Sequence, residues 1–192
     1  MGTGMGSGMS TGMSTDVVLR KTNLNQVRLV CKDVDDFAVG AARHLDELIG
    51  SGPARALKPV VLHADGLSCL MGVLDQVAPV AVRMAVLSRM TDTYGVIDTR
   101  VDVVNLLPIL MCRRRVMYKH AYVVVHMLYK SEWGWMLRDA VANTELLMDT
   151  IRALLSRRTL LPAEVIANID KRRFLLGPQD CLKYGIVDQV VG

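Results

Sequence analysis

The sequence predicts an α/β domain with a mostly parallel sheet, and three observations carry that prediction. Short apolar or β-branched runs alternate along the chain with longer stretches of helical periodicity. Glycine and proline punctuate the boundaries between the two kinds of segment. At 192 residues, 51% of them hydrophobic, the chain is long enough to bury one core of its own.

The elements follow in order. Residues 1–16, MGTGMGSGMSTGMSTD, are low-complexity Gly, Met, Ser and Thr, so a flexible segment over 1–22 is expected ahead of one domain over 23–192. Val27 to Cys31 reads as a strand. Asp35 to Ile49 reads as an amphipathic helix, with Phe37, Ala41, Leu45 and Leu48 on one face and Gly50 at its end. Pro59 to His63 is a short buried strand, and 69–91 a helix kinked or broken at Pro79. Tyr94 to Ile97 is a strand and Val103 to Met111 a helix. Two strands follow, Arg115 to Tyr118 and Tyr122 to His126. A long helix over Trp135 to Arg157 carries a broad apolar stripe that includes Leu147, Met148, Ile151, Leu154 and Leu155. Pro162 starts a shorter helix through Ile169.

Composition excludes several function classes. No stretch approaches the ~20 uncharged apolar residues of a membrane span, since Leu70 to Met90 is interrupted by Asp75, Pro79 and Arg83. A leader is not visible: the first 16 residues hold no basic residue, and Gly6 fails the myristoylation pattern. The net charge of +4 is a weak bias, concentrated in Arg113-Arg114-Arg115 and Lys171-Arg172-Arg173. Neither cluster is interleaved with aromatics, so solvated or intersubunit charge is expected rather than nucleic-acid binding. The four cysteines, Cys31, Cys69, Cys112 and Cys181, form no metal-ligand pair and sit in apolar runs. Buried free thiols in a reducing compartment follow. No metal site and no cofactor is expected.

The most informative stretch is the last: Asp170-Lys171-Arg172-Arg173-Phe174-Leu175-Leu176-Gly177-Pro178, then Cys181-Leu182-Lys183-Tyr184-Gly185-Ile186-Val187-Asp188. Pro178 suits a first helical position and Gly185 the left-handed position past a helix end, so the stretch reads as strand, short helix, strand. This wording resembles the C-terminus of Clp protease proteolytic subunits, the ClpP family, and the resemblance extends over roughly residues 25–191. It implies the β-β-α spiral shared by ClpP and crotonase proteins, with the long helix in a handle.

The resemblance also locates a site. It puts His126 at the catalytic histidine, Val101 at the serine nucleophile and Arg172 at the aspartate. Valine has no proton to give up and cannot attack a carbonyl. A guanidinium cannot stabilise the imidazolium that a Ser-His-Asp triad forms. Asp170, two residues from Arg172, reads as lying on the same strand face but too far along it to substitute. The oxyanion loop corresponds to Asp65, Gly66 and Leu67, where a carboxylate stands in place of a donor. Trp133 and Trp135 occupy the segment of the substrate-binding strand, which here lacks the family's repeated Gly and Gln, and are expected to fill an interface or cap the long helix. Leu147 and Leu154 are the assembly candidates on the long helix. His44, His63 and His120 have no sequence neighbours that make a site.

The implied function is that of a catalytically inactive, ClpR-type subunit, not an enzyme. It would share a hetero-oligomeric double ring with active ClpP and other ClpR-type subunits and meet an AAA+ Clp chaperone, with no nucleic acid or membrane partner. The resemblance places such a subunit in the plastid stroma first, with a mitochondrion or a cyanobacterial cytosol as alternatives. Two other readings share the fold: a crotonase-like acyl-coenzyme A enzyme, with Asp65 or Asp102 as its carboxylate, and a ClpP-derived scaffold of another organellar complex.

Overall fold

The computed structural model describes residues 25–30, 34–51, 58–66, 74–127 and 138–192. The N-terminal segment, Leu67, Trp133 and Trp135 lie outside the described residues. The elements in chain order are β1 (Asn25–Val30), α1 (Val34–Gly50), β2 (Val60–Gly66), α2 (Leu74–Met90), β3 (Thr93–Asp102), α3 (Val103–Leu110), β4 (Arg114–Tyr118) and β5 (Tyr122–Val125). They continue with α4 (Arg138–Arg158), α5 (Ala163–Ala167), β6 (Phe174–Leu176), α6 (Pro178–Lys183) and β7 (Gln189–Val191).

The strands form one sheet in the order β1-β2-β3-β4-β7, with β5 added beside β3 and β6 beside β5. Every pairing is parallel except β5 with β6. Parallel neighbours need crossovers, which is why helices separate most of the strands. The predicted α/β class holds.

Helical spacing explains the packing. Val77, Val80, Met84 and Leu87 recur every three or four residues along α2 and are buried, as are Ala41 and Leu45 of α1. They meet Val60, Leu62 and Ala64 of β2, Ile97 and Val101 of β3, and Leu106 and Ile109 of α3 in the main core. Each such side chain, fully buried, contributes roughly 1.5–3 kcal/mol. Helix α3 lies so close on β3 that a Cβ at Gly95 would stand 2.9 Å from Ile109 Cγ2 and 3.2 Å from Cys112 Sγ. Glycine is the residue that fits there. On the sheet's other face Val61, Tyr94 and Val96 form a smaller cluster with Tyr118 against it.

Three expectations change in detail. Pro79 sits inside α2 without ending it, and its carbonyl accepts from Arg83 Nη1 at 3.1 Å. β3 runs on through Asp98, Thr99 and Arg100 to Asp102. These polar residues read as a strand end in sequence, but β5 pairs with Arg100, Val101 and Asp102 and prolongs the strand. Asp170 lies in a turn, not on a strand with Arg172, because β6 begins only at Phe174.

The sequence's closing motif has a physical account. Pro178 opens α6, and Gly185 takes φ 62°, the left-handed region where glycine pays no steric penalty. The reversal is fixed by the Ile186 N–H donating to the Cys181 carbonyl at 2.8 Å. Asp188 then accepts from the Arg115 backbone N–H at 2.8 Å and from Nη2 at 2.7 Å, fastening the end of the chain across β4. Arg113 donates to the Ser88 carbonyl and Asp92, and Arg114 lies over the Tyr94 ring. The first basic cluster is thus engaged within the chain.

Cys112 and Cys181 are buried free thiols. Burial pushes both up in pKa, Cys181 to about 12, where the neighbouring Asp180 charge adds to the effect. Thiolate is the reactive form, so iodoacetamide at pH 8 should leave both unmodified until denaturant is added. Peptide mapping that finds either alkylated in folded protein would contradict this burial.

Candidate functional site

The parallel strands β2, β3 and β5 end on the same side of the sheet, the side where open α/β sheets place ligands. Gly66 at the end of β2 pairs with Val101 near the end of β3, after a register shift between Ala64 and Gly66. Val101 pairs on its other edge with Val123 of β5. His126 follows β5 directly and is half-buried. Phe174 of β6 pairs with Val125, which brings Arg172, two residues earlier, to the His126 end. The Met127 N–H donates to the Ile169 carbonyl at 2.7 Å, and the Arg172 N–H to the Asn168 carbonyl at 2.9 Å, so the turn before β6 is tied to this corner. Four separated pieces of sequence therefore converge: Gly66, Val101, His126 and Arg172.

The side chains there set the available chemistry. Val101 is fully buried in the main core, where it packs as an ordinary apolar residue. Arg172 is exposed, with its guanidinium 5.4 Å from the centroid of the Phe174 ring, a cation–π contact. Asp170 is engaged elsewhere: its carboxylate accepts from Arg152 Nη2 of α4 at 3.0 Å. Asp65 closes β2 beside Gly66.

The start of α3 is occupied by its own neighbour. Asp102 is fully buried, and its Oδ1 accepts from the N–H groups of Val104 and Asn105, both at 2.9 Å. A helix N-terminus is the natural place to stabilise an anion. Here a carboxylate from the chain already fills it. Asp102 therefore acts as an N-cap, a role at odds with serving as the carboxylate of a thioester-activating site.

One pair escaped the sequence reading. His63 Nδ1 lies 3.0 Å from Asp98 Oδ2 and 3.2 Å from Oδ1, with both side chains largely buried. The residues lie 35 apart, and only the β2–β3 register, which sets His63 beside Val96, makes them neighbours. With Nδ1 protonated, His63 donates to the carboxylate. Asp98 alternates with Val96 on the face of the smaller cluster, whereas Val101 belongs to the main core. The pair thus sits on the opposite face from the Val101 corner and supplies it with nothing. Among the described residues no group of three or more His, Cys, Asp or Glu is placed to hold a metal ion.

Leu147 and Leu154 of α4 are half-buried against the main core, while Ile151 between them is 2% exposed. The leucine of α4 that stands free is Leu146. No helix is long and apolar enough to cross a membrane among the described residues.

A parallel sheet with crossover helices and one antiparallel strand, β6, is consistent with the ClpP/crotonase-like fold, and solved structures share that fold. A peptidase from Plasmodium falciparum is similar with a TM-score of 0.63 at 13% identity, over 87% of this chain and 95% of that one. ClpP1 from Listeria monocytogenes is similar with a TM-score of 0.61 at 13% identity, over 88% of this chain and 90% of that one. A structure described only as an enzyme gives 0.68 at 11% identity, over 87% and 95%. No protein-family model matches the chain, and no curated protein matches it in sequence. The likeness is one of fold.

Proposed function

We propose that this chain is a ClpP-family subunit without catalytic activity, of the ClpR type, that serves as a structural member of a Clp protease core. Active ClpP and other ClpR-type subunits would be its neighbours in a hetero-oligomeric double ring, with an AAA+ chaperone as a further contact and the plastid stroma as the compartment. The observation that carries this reading is the convergence of Val101, His126, Arg172 and Gly66 at one sheet corner. A shared constellation of positions speaks for the family, and the residues that fill them speak against hydrolysis. The triad works as a unit, so losing the nucleophile and the orienting carboxylate together leaves binding and little else. The Asp102 carboxylate at the α3 N-terminus supports the same conclusion, because it competes with any oxyanion for those donors.

The test combines two measurements. The purified chain should show no peptidase activity and no labelling by a serine-directed fluorophosphonate. Native mass spectrometry of the complex that contains it should find ClpP-type subunits bearing an intact triad. Labelling mapped to 99–103 would refute the loss of catalysis, and a native complex lacking such subunits would refute the structural role.

A further inference from the structure

Just past α4 the chain runs Arg157-Arg158-Thr159-Leu160-Leu161. Thr159 and Leu161 are buried, and Leu160 between them is 75% exposed, the most of any large hydrophobic residue described. Single exposed leucines are ordinary. What distinguishes this one is its backbone. The Thr159 N–H and hydroxyl both donate to the Leu155 carbonyl, at 2.9 and 2.7 Å. The Leu161 N–H donates to Thr159 Oγ1 at 3.3 Å, and the Leu160 N–H donates to the Tyr184 carbonyl at 2.7 Å. Each of the three consecutive residues is fastened, so Leu160 is held outward from a fixed frame.

The charged residues flanking it most closely are cationic, with the exposed carboxylates of Glu164 and Asp180 lying beyond them. The facing segment is Lys183-Tyr184-Gly185, where the Lys183 ammonium lies 5.3 Å from the Tyr184 ring centroid. A Cβ at Gly185 would stand 3.8 Å from Leu160 Cγ, so the two segments touch. Arg157, Arg158 and Lys183 are all exposed, and residues 157–160 and 183–185 contain no carboxylate. The Asp188 carboxylate further on is taken up by Arg115.

We propose that this corner docks an acidic polypeptide segment of a partner protein, which packs an apolar side chain on Leu160 and sets its carboxylates against Arg157, Arg158 and Lys183. A fixed apolar anchor loses little freedom on binding. A cationic rim selects acidic partners and speeds encounter. The inference stands on these residues alone and does not rest on the family reading.

The experiment replaces Leu160 by a photo-reactive phenylalanine in the full chain within its native complex and maps the cross-linked peptide. The expected product joins position 160 to an Asp- and Glu-rich segment of another protein. Its yield should fall about fivefold or more in the Arg157→Glu, Arg158→Glu variant, as loss of paired rim charges requires. Raising the salt concentration should lower the yield in the same direction without any charge substitution, which keeps the test valid if that variant fails to fold. A cross-link to a second copy, to lipid, to nucleic acid or to a segment poor in carboxylates overturns the proposal. So does a yield indifferent to salt, or no product.

Discussion

Asp102→Ala is expected to lower stability by about 2–4 kcal/mol, read as a shifted midpoint in urea denaturation followed by circular dichroism. The side chain is fully buried and accepts from two backbone donors at 2.9 Å. Alanine would leave both N–H groups without water to replace the lost oxygen, and an orphaned buried donor is costly. Asp102→Asn keeps an acceptor in the same place and should lose clearly less. If the alanine variant matched the parent within 0.5 kcal/mol, the order of magnitude of a neutral surface change, the capping account would fail. The comparison also bears on function, because the group that holds α3 in place is the one that occupies its anion-binding end.

Ile151→Glu should prevent folding altogether. Ile151 is 2% exposed and packs in the main core from α4. An uncompensated carboxylate there costs more than ~4 kcal/mol, enough to consume most of a domain's stability. Leu146→Glu, at a residue 68% exposed, should melt like the parent. Leu147→Glu and Leu154→Glu fall between, since both residues are half-buried against the core. Thermal melts of the four variants would order them by burial. An Ile151→Glu protein with a native melt would show that α4 packs differently. The assembly role of α4 is then read from size-exclusion chromatography of the folded variants with partner subunits.

Local signals were legible in the sequence because their causes are local. Pro178 and Gly185 bracket α6 as the caps of a short helix do, and the periodicity of Ala41 and Leu45 marked a buried face correctly. That Val101, His126 and Arg172 share a site is what the family resemblance implies; strand pairing sets Val101 beside Val123 and Val125 beside Phe174. What stayed hidden depends on register. Nothing in the chain joins His63 to Asp98 until β2 is laid beside β3. Nor does Asp170 announce a partner 18 residues away on α4. The polar run Asp98-Thr99-Arg100 reads as the end of a strand because nothing local shows that β5 takes up the pairing at Arg100.

Strand β3 has a consequence for how the domain opens. One of its edges pairs with β2 at Thr93–Ile97 and, after a register shift, at Val101, and the other is shared, first by β4 at Tyr94–Ile97 and then by β5 at Arg100–Asp102. β3 cannot leave the sheet without releasing all three neighbours. Amide hydrogens at the corner that joins Gly66, Val101 and Val123 are therefore expected to be among the slowest to exchange.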